Sequence, residues 1–282
     1  MTDTERLLRS RSFVELGARQ RARAVLDPGS FRELLGPFDR LMSPWLPRQG
    51  IVPQADDGVV IAKGLLNGRK AVVAAIEGGF QGGSMGEVGG AKIAGALELA
   101  IEDNRNGVPT CAVLLLETGG VRLQEANLGL AAIAEIQAAI VELRAWQPVV
   151  GLVAGSVGCF GGMSIAAGLC SHLLVTREAR LGLNGPQVIE QEAGIGEYDA
   201  KDRPFIWSLT GGEQRHASGL VDAYVADDIE ALRERLLQLL DEPSRDRASQ
   251  HAWFLERLAL LGDGRPQLDA AAVRDLYQGE AK

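Results

Sequence analysis

The sequence predicts an α/β domain in which apolar strands run through glycine turns directly into helices. Two stretches of one form carry that prediction. In Pro148–Met163, the apolar run Val149–Ala154 leads into Gly155-Ser156-Val157-Gly158-Cys159-Phe160-Gly161-Gly162, and Met163–Leu169 then resumes as a small-residue helix. In Pro109–Trp146, the apolar run Pro109–Leu116 leads into Glu117-Thr118-Gly119-Gly120-Val121-Arg122, and a helix follows from about Gln124. Consecutive parallel strands joined by crossover helices bring such turns to one edge of a sheet, outside the strand C-termini.

The other elements follow in chain order. Residues 3 to 26 alternate charged and apolar positions and read as a surface helix whose basic residues are Arg6, Arg9, Arg11, Arg19, Arg21 and Arg23. These are either a solvated face or a dock for an acidic or phosphate-bearing group. Asp27-Pro28-Gly29-Ser30 is a turn that caps a short helix at Phe31–Leu35. Pro44, Pro47 and Pro53 mark a connector, so residues 1–57 read as a helical segment with its connector. Val59–Leu66 and Lys70–Ile76 are strands joined by Asn67-Gly68, a strong hairpin signal. The glycine-rich loop Phe80–Gly90 precedes a helix over Lys92–Asn104. Beyond the second glycine turn, His172–Thr176 and Arg180–Leu183 read as short strands, and Asn184–Gln191 as a turn into a helix. Ser208–His216 opens another helix, and the segment to Val225 returns to a strand, closing a core of residues 58–225. Ile229–Leu240 and His251–Leu261 are amphipathic helices of a C-terminal segment, 226–282, whose last twenty or so residues are loosely held.

Bulk properties narrow the function. With 282 residues, 46% hydrophobic and 23% charged, the chain fits one large globular domain or two small ones. Thirty-five glycines exceed the twenty or so expected at about 7%, and they cluster in loops. A net charge of −8 argues against a general nucleic-acid binder but not against a local basic patch. Cys111, Cys159 and Cys170 form no CxxC pair and are too few for a four-cysteine zinc site. Cys111 and Cys170 lie in apolar runs, whereas Cys159 in its glycine turn is either a core residue or a reactive thiol. Neither a signal-peptide core nor a run of membrane-span length is present, so the expected compartment is the cytoplasm.

No side chain in the turns is an obvious nucleophile or base. The histidines His172, His216 and His251 are scattered, no HExxH, GxGxxG or P-loop pattern is present, and Ser156, between Gly155 and Val157, does not sit in a GxSxG elbow. The double glycines are then either tight-turn and packing residues or backbone access points that aim N–H groups at one oxygen. Glu117 and Glu125 flank the first pair. They serve either as acid–base groups or as braces that hold the loop through ion pairs.

On Asp27-Pro28-Gly29-Ser30-Phe31, Gly82-Gly83-Ser84-Met85-Gly86, Gly119-Gly120-Val121-Arg122-Leu123-Gln124-Glu125-Ala126 and Gly185–Gln191, the chain resembles the acyl-CoA carboxyltransferase half-subunits over residues 20 to 225. On Pro148–Gly162 followed by Leu173–Gly182 it is also similar to the wider crotonase superfamily, which implies an α/β crotonase-like ββα spiral in a single carboxyltransferase-type domain. With no cysteine before Cys111, the chain lacks the zinc ribbon of acetyl-CoA carboxylase β subunits; valine also stands at 121 where the family has alanine. The sequence spans one such domain, so a fused second half is not expected. The pattern is most similar to the β subunits of biotin-independent malonate decarboxylases. That resemblance implies decarboxylation of a malonyl thioester on an acyl carrier protein, with a related-fold γ subunit and an acyl transferase subunit as partners, and neither nucleic acid nor membrane. It implies no metal and no directly bound cofactor, the substrate being carried on a CoA-like phosphoribosyl-dephospho-CoA arm. Gly119, Gly120, Gly161 and Gly162 would hold the enolate oxygen. Gly82, Gly83, Ser84, Met85, Arg122 and Phe160 would neighbour the arm. A biotin-dependent acetyl-CoA carboxyltransferase β subunit, a carrier-binding scaffold subunit and a free-standing crotonase are the alternative readings.

Overall fold

The computed structural model describes residues 10–244, 246–261 and 269–277. They form one seven-stranded sheet in sequential order, β1 to β7. The first strands are β1 (Arg32–Leu34), β2 (Val59–Leu66) and β3 (Arg69–Ile76), which pair antiparallel. From β3 onward the sheet is parallel through β4 (Thr110–Leu115), β5 (Val149–Val153), β6 (His172–Thr176) and β7 (Ala223–Val225).

The β2–β3 hairpin closes at Leu66 opposite Arg69, with Asn67 and Gly68 both at positive φ (49° and 80°), as a two-residue primed turn requires. Asp27 fixes that turn: its two carboxylate oxygens accept the Asn67 and Gly68 N–H groups at 2.9 Å each.

Strand alternation divides the core between the two faces of the sheet. On β4 and just beyond it, Ala112, Leu114 and Leu116 pack with Ile93 and Leu97 of α2 (Glu87–Arg105), Ile136 and Ile140 of α3 (Asn127–Leu143) and Met163 of α4 (Gly162–Leu169). Cys111, Val113 and Leu115 pack the other way, with Ala18 and Ala22 of α1 (Ala18–Val25) and a leucine pair, Leu232 and Leu236, on the helix Ile229–Leu239. Each fully buried leucine or isoleucine contributes about 1.5–3 kcal/mol through burial. Both faces of the parallel sheet are covered, which explains the uninterrupted apolar character of β4, β5 and β6. The parallel strands end together, so the loops after β3, β4, β5 and β6 share one edge.

Several sequence expectations change. Phe31–Leu35 is not helical. Its central residues form β1, because the backbone of Arg32–Leu34 completes the edge of β2 at Ile61–Lys63. The segment before residue 58 is therefore not only helix and connector. The first described helix is confined to Ala18–Val25; Leu7, Leu8, Arg6 and Arg9 lie outside the described residues. Helix α2 starts five residues before Lys92 and takes in Gly89 and Gly90. At Gly90 the helices α2 and α3 approach so closely that a Cβ would lie 2.4 Å from that of Ala132. Arg180–Leu183 is not a strand but makes isolated bridges, Leu181 with Cys159 and Arg180 with Gly211. A helix at Arg203–Thr210 precedes the expected one, which runs over Gly212–Ala217. A short helix, Ala270–Leu276, stands in the expected loose C-terminus, whose remaining residues are outside the described set. Among the described residues, no helix is long and apolar enough to cross a membrane.

Candidate active site

Beyond the strand ends, the glycine turns form a second, smaller layer of backbone pairing. Met85 bridges Val121, Thr118 bridges Cys159 and Cys159 bridges Leu181, all parallel, repeating the order of the strands below. The bonds are short: Met85 N–H to Gly120 O (2.7 Å), Arg122 N–H to Met85 O (2.8 Å), Thr118 N–H to Gly158 O (2.7 Å) and Phe160 N–H to Thr118 O (3.0 Å). The first turn thus lies between the loop 82–86 and the second turn.

The two double glycines meet there. A Cβ on Gly120 would stand 3.1 Å from Phe160 O and 3.3 Å from Gly161 Cα, and a Cβ on Gly161 would stand 3.2 Å from Gly120 Cα and 3.8 Å from Val121 N. Gly120 (φ 103°) and Gly161 (φ 60°) also hold backbone conformations that side-chain-bearing residues rarely adopt.

Which N–H groups remain free decides what the turns can bind. Gly119 N–H donates to Gly82 O (2.9 Å), Gly161 N–H to Leu183 O (2.7 Å) and Gly120 N–H to Thr118 Oγ1 (3.1 Å). Three of the four glycines expected as donors are therefore engaged within the chain. The amides of Val121 and Gly162 make no hydrogen bond among the described residues. Gly162 is the first residue of α4, where the N–H has no intrahelical acceptor and the helix dipole favours negative charge. Val121 and Thr118 were not candidates from sequence. The threonine two residues before Gly120 was the available signal, since a hydroxyl there can bond the backbone two residues on.

The charged residues around the turns brace them. Arg122 is 1% exposed. Its Nη1 donates to Asp57 Oδ1 at 2.7 Å and Glu125 Oε1 at 2.9 Å, and its Nη2 to Ser84 O at 3.1 Å. The expectation that Arg122 meets a ligand is corrected: its guanidinium is consumed in holding three loops together. Burial raises the Asp57 carboxyl above its ordinary range despite that arginine. Burial also opposes charge on Glu125, but hydrogen bonds from Ser43, the Glu87 N–H and Arg122 outweigh it and hold that carboxyl below its ordinary range. Glu117 pairs with Arg21, is itself buried, and fills the space a Cβ on Gly155 would need. Both glutamates are braces, and Arg21 is no part of a solvated face.

Met85 and Phe160, expected beside the arm, are buried at 1% and 4% exposure. Phe160 lies under Arg180, 5.5 Å from its guanidinium carbon. What stays open at the surface is Gly82 and Gly119, with Ser84, Val121, Gly161 and Gly162 half-buried. Gly83 is enclosed: a Cβ there would meet Glu117 O at 1.9 Å. Large apolar side chains close in sequence to the turns, Leu123, Leu130, Ile165 and Leu183, are exposed. Cys159 is fully buried and its thiol is pushed far up by burial, so it is a core residue and not a reactive one. No cluster of potential metal ligands occurs among the described residues.

A model of the carboxyl transferase domain matches residues 13–252. The malonyl-S-ACP:biotin-protein carboxyltransferase MADC of Malonomonas rubra is 39% identical over 249 residues, covering 85% of this chain and 78% of that protein. Among solved structures, a chain of a Pseudomonas malonate decarboxylase hetero-tetramer in complex with malonate superposes with a TM-score of 0.93 and 73% identity, covering 98% of this chain and 100% of that one. A chain of the Pseudomonas MdcD–MdcE hetero-dimer gives a TM-score of 0.75 and 66% identity over 88% of this chain and 97% of that one. The transcarboxylase 12S structure with methylmalonyl-coenzyme A bound gives 0.68 and 28% over 81% of this chain and 41% of that one. The crotonase-like carboxyltransferase fold implied by the motifs is the fold found, and the chain belongs to the carboxyl transferase domain family.

Proposed function

We propose that this chain is the β subunit of a malonate decarboxylase, converting malonyl-S-acyl carrier protein to acetyl-S-acyl carrier protein and CO2. The observation that carries the chemistry is the backbone contact of Gly120 with Gly161, which leaves the Val121 and Gly162 amides unpartnered beside it. The near-complete overlap with a chain of a malonate decarboxylase hetero-tetramer supports the substrate.

Breaking the bond between the malonyl methylene and its carboxylate releases CO2 and sends the electron pair into the thioester as an enolate. Negative charge then rises on the thioester oxygen. Val121 N–H and Gly162 N–H are fixed dipoles available to that oxygen, and each such donor lowers the barrier by about 3–4 kcal/mol. Gly119, Gly120 and Gly161 serve by conformation: they let the two turns approach, and their own amides fix the turns in place. A proton delivered to the enolate carbon completes the acetyl group.

The arm carrying the substrate is CoA-like, of the phosphoribosyl-dephospho-CoA type, and runs past the exposed Gly82 and half-buried Ser84. No cofactor bound directly by this chain takes part. A γ subunit of related fold covers the open side of the turns, where Leu123, Ile165 and Leu183 are exposed. The acyl carrier protein and an acyl transferase subunit complete the assembly, and the cytoplasm is its compartment.

The test is CO2 release from malonyl-S-carrier by this chain with its partner subunit, without biotin or ATP and with avidin present. Turnover under those conditions is expected. Turnover that requires carboxybiotin would instead assign the chain to the biotin-dependent carboxyltransferases.

A further inference from the structure

A cavity of about 680 Å³ lies behind the second turn, between Ser156–Val157, the segment after β6 and the helix Arg203–Thr210. Three arginines line it, Arg177, Arg180 and Arg203, with Trp207 and a single carboxylate, Glu178. None of the three arginines forms an ion pair among the described residues. Arg177 and Arg203 are exposed at the rim, and their guanidinium groups make no hydrogen bond among the described residues. Arg180 is half-buried between aromatic rings, 4.7 Å from Trp207 and 5.5 Å from Phe160. Its bonds go to neutral carbonyls, Nη2 to Ser156 O at 2.6 Å and to Val157 O at 3.2 Å. Glu178 keeps one buried carboxylate oxygen without a partner, so this wall carries a net charge of +2.

The half-buried guanidinium of Arg180 has carbonyl partners but no counter-charge, a costly arrangement unless an anion completes it, and the two exposed arginines beside it add to the positive field there. Their planar forks match tetrahedral phosphate oxygens. A second cavity, about 490 Å³, shares Arg177, Arg203 and Trp207 and adds one charge of each sign, Arg274 and Glu213, to its lining.

We propose that Arg177, Arg180 and Arg203 form an anion site that takes a doubly charged phosphate group, a pyrophosphate or a phosphate ester, behind the glycine turn. Arg180 both faces this ligand and holds the carbonyls of the turn that leads to Gly161 and Gly162. Two sources share the chemistry: a free phosphate-bearing anion, and the phosphates of a CoA-type substrate arm. The second source rests on the function proposed above.

The experiment titrates inorganic pyrophosphate and, separately, coenzyme A into the full chain by calorimetry, with Arg177→Gln, Arg203→Gln and the double variant alongside. Thermal melts confirm folding, which substitution of two rim residues should preserve. Saturable binding that weakens roughly tenfold for each arginine removed is expected. Steady-state CO2 release with the partner subunit then separates the sources. A rise in KM for malonyl-CoA but not for malonyl-pantetheine, which lacks the phosphates, assigns the site to the substrate arm. Equal KM values for both substrates, with pyrophosphate still bound, assign it to a free anion. No binding of either probe to the wild-type chain, or binding unchanged in the folded double variant, overturns the site. Either result leaves the decarboxylation test intact, because that test reads CO2 release by the unmodified chain.

Discussion

Gly120 and Gly161 touch backbone to backbone: the position a Cβ would take on Gly161 is 3.2 Å from Gly120 Cα. Both residues have positive φ, so two constraints, space and conformation, act together at one point. Gly120→Ala must therefore push the turns apart or twist the first one. Strain of this kind costs about 1–2 kcal/mol of stability. The larger expected effect is on kcat, a loss of roughly 10²-fold or more as the Val121 and Gly162 amides lose alignment. Steady-state CO2 release beside a thermal melt checks it: a fall in melting temperature with kcat intact would separate the glycine contact from the chemistry.

Arg122 serves two buried carboxylates with one nitrogen, Nη1. Arg122→Met leaves Asp57 and Glu125 facing each other without a cation, at a cost of about 3–5 kcal/mol. Adding Asp57→Asn and Glu125→Gln removes the stranded charges and should restore most of that loss. Urea unfolding of the single and triple variants measures both steps. A single variant as stable as wild type would show that the arginine is not the brace described.

The two carboxylates predict opposite pH signatures. Glu125 is held below its ordinary range, so its stabilisation is complete above the unfolded-state pKa and is lost as pH falls through the lowered folded value. Asp57 is raised, so its protonation as pH falls favours the folded chain. Glu125→Gln should flatten the loss of stability at acid pH, and Asp57→Asn should steepen it. Urea midpoints across the acid range, compared as slopes, read the difference. Parallel slopes in both variants would contradict the assigned directions.

All three cysteines are buried, and burial pushes the Cys111 thiol to about 11. A thiol reagent at neutral pH should modify none of them in the native chain on the timescale of minutes, and all three once the chain is unfolded. Rapid modification of one native cysteine would identify an opening of the fold around it, Cys159 being the informative one because it lies between Thr118 and Leu181 in the turn layer.

The strands were legible because β3 to β6 are buried on both faces and read as apolar runs, and the hairpin because Asn67-Gly68 suits only one turn type. The edge strand β1 was not legible: Phe31–Leu35 carries no strand pattern, and its pairing comes from β2, more than twenty residues away. The turns are legible in their glycines, and of the four expected donors Gly162 keeps a free N–H, but the engagement of the other three is not legible. The carbonyls that occupy Gly119 and Gly161 belong to Gly82 and Leu183, in loops that no local pattern connects to the turns. Arg122 was misjudged for the same reason, since its partner Asp57 lies 65 positions away.

Gly162 allows the donor itself to be tested, because proline is well accommodated at the first position of a helix and removes only the N–H. A Cβ at this position would meet Ile133 Cγ2 at 2.9 Å, so any substitution also disturbs packing between α3 and α4. Gly162→Ala carries the same Cβ and keeps the N–H, which makes it the matched control. The difference between the two variants then isolates the hydrogen bond to the developing oxyanion. Gly162→Pro is expected to lower kcat by roughly 10²–10³-fold relative to Gly162→Ala, with KM little changed, since the bond strengthens only as charge forms. If the two variants turn over equally, the Gly162 amide does not hold the enolate oxygen, and the charge must be met by Val121 together with groups of the partner subunit.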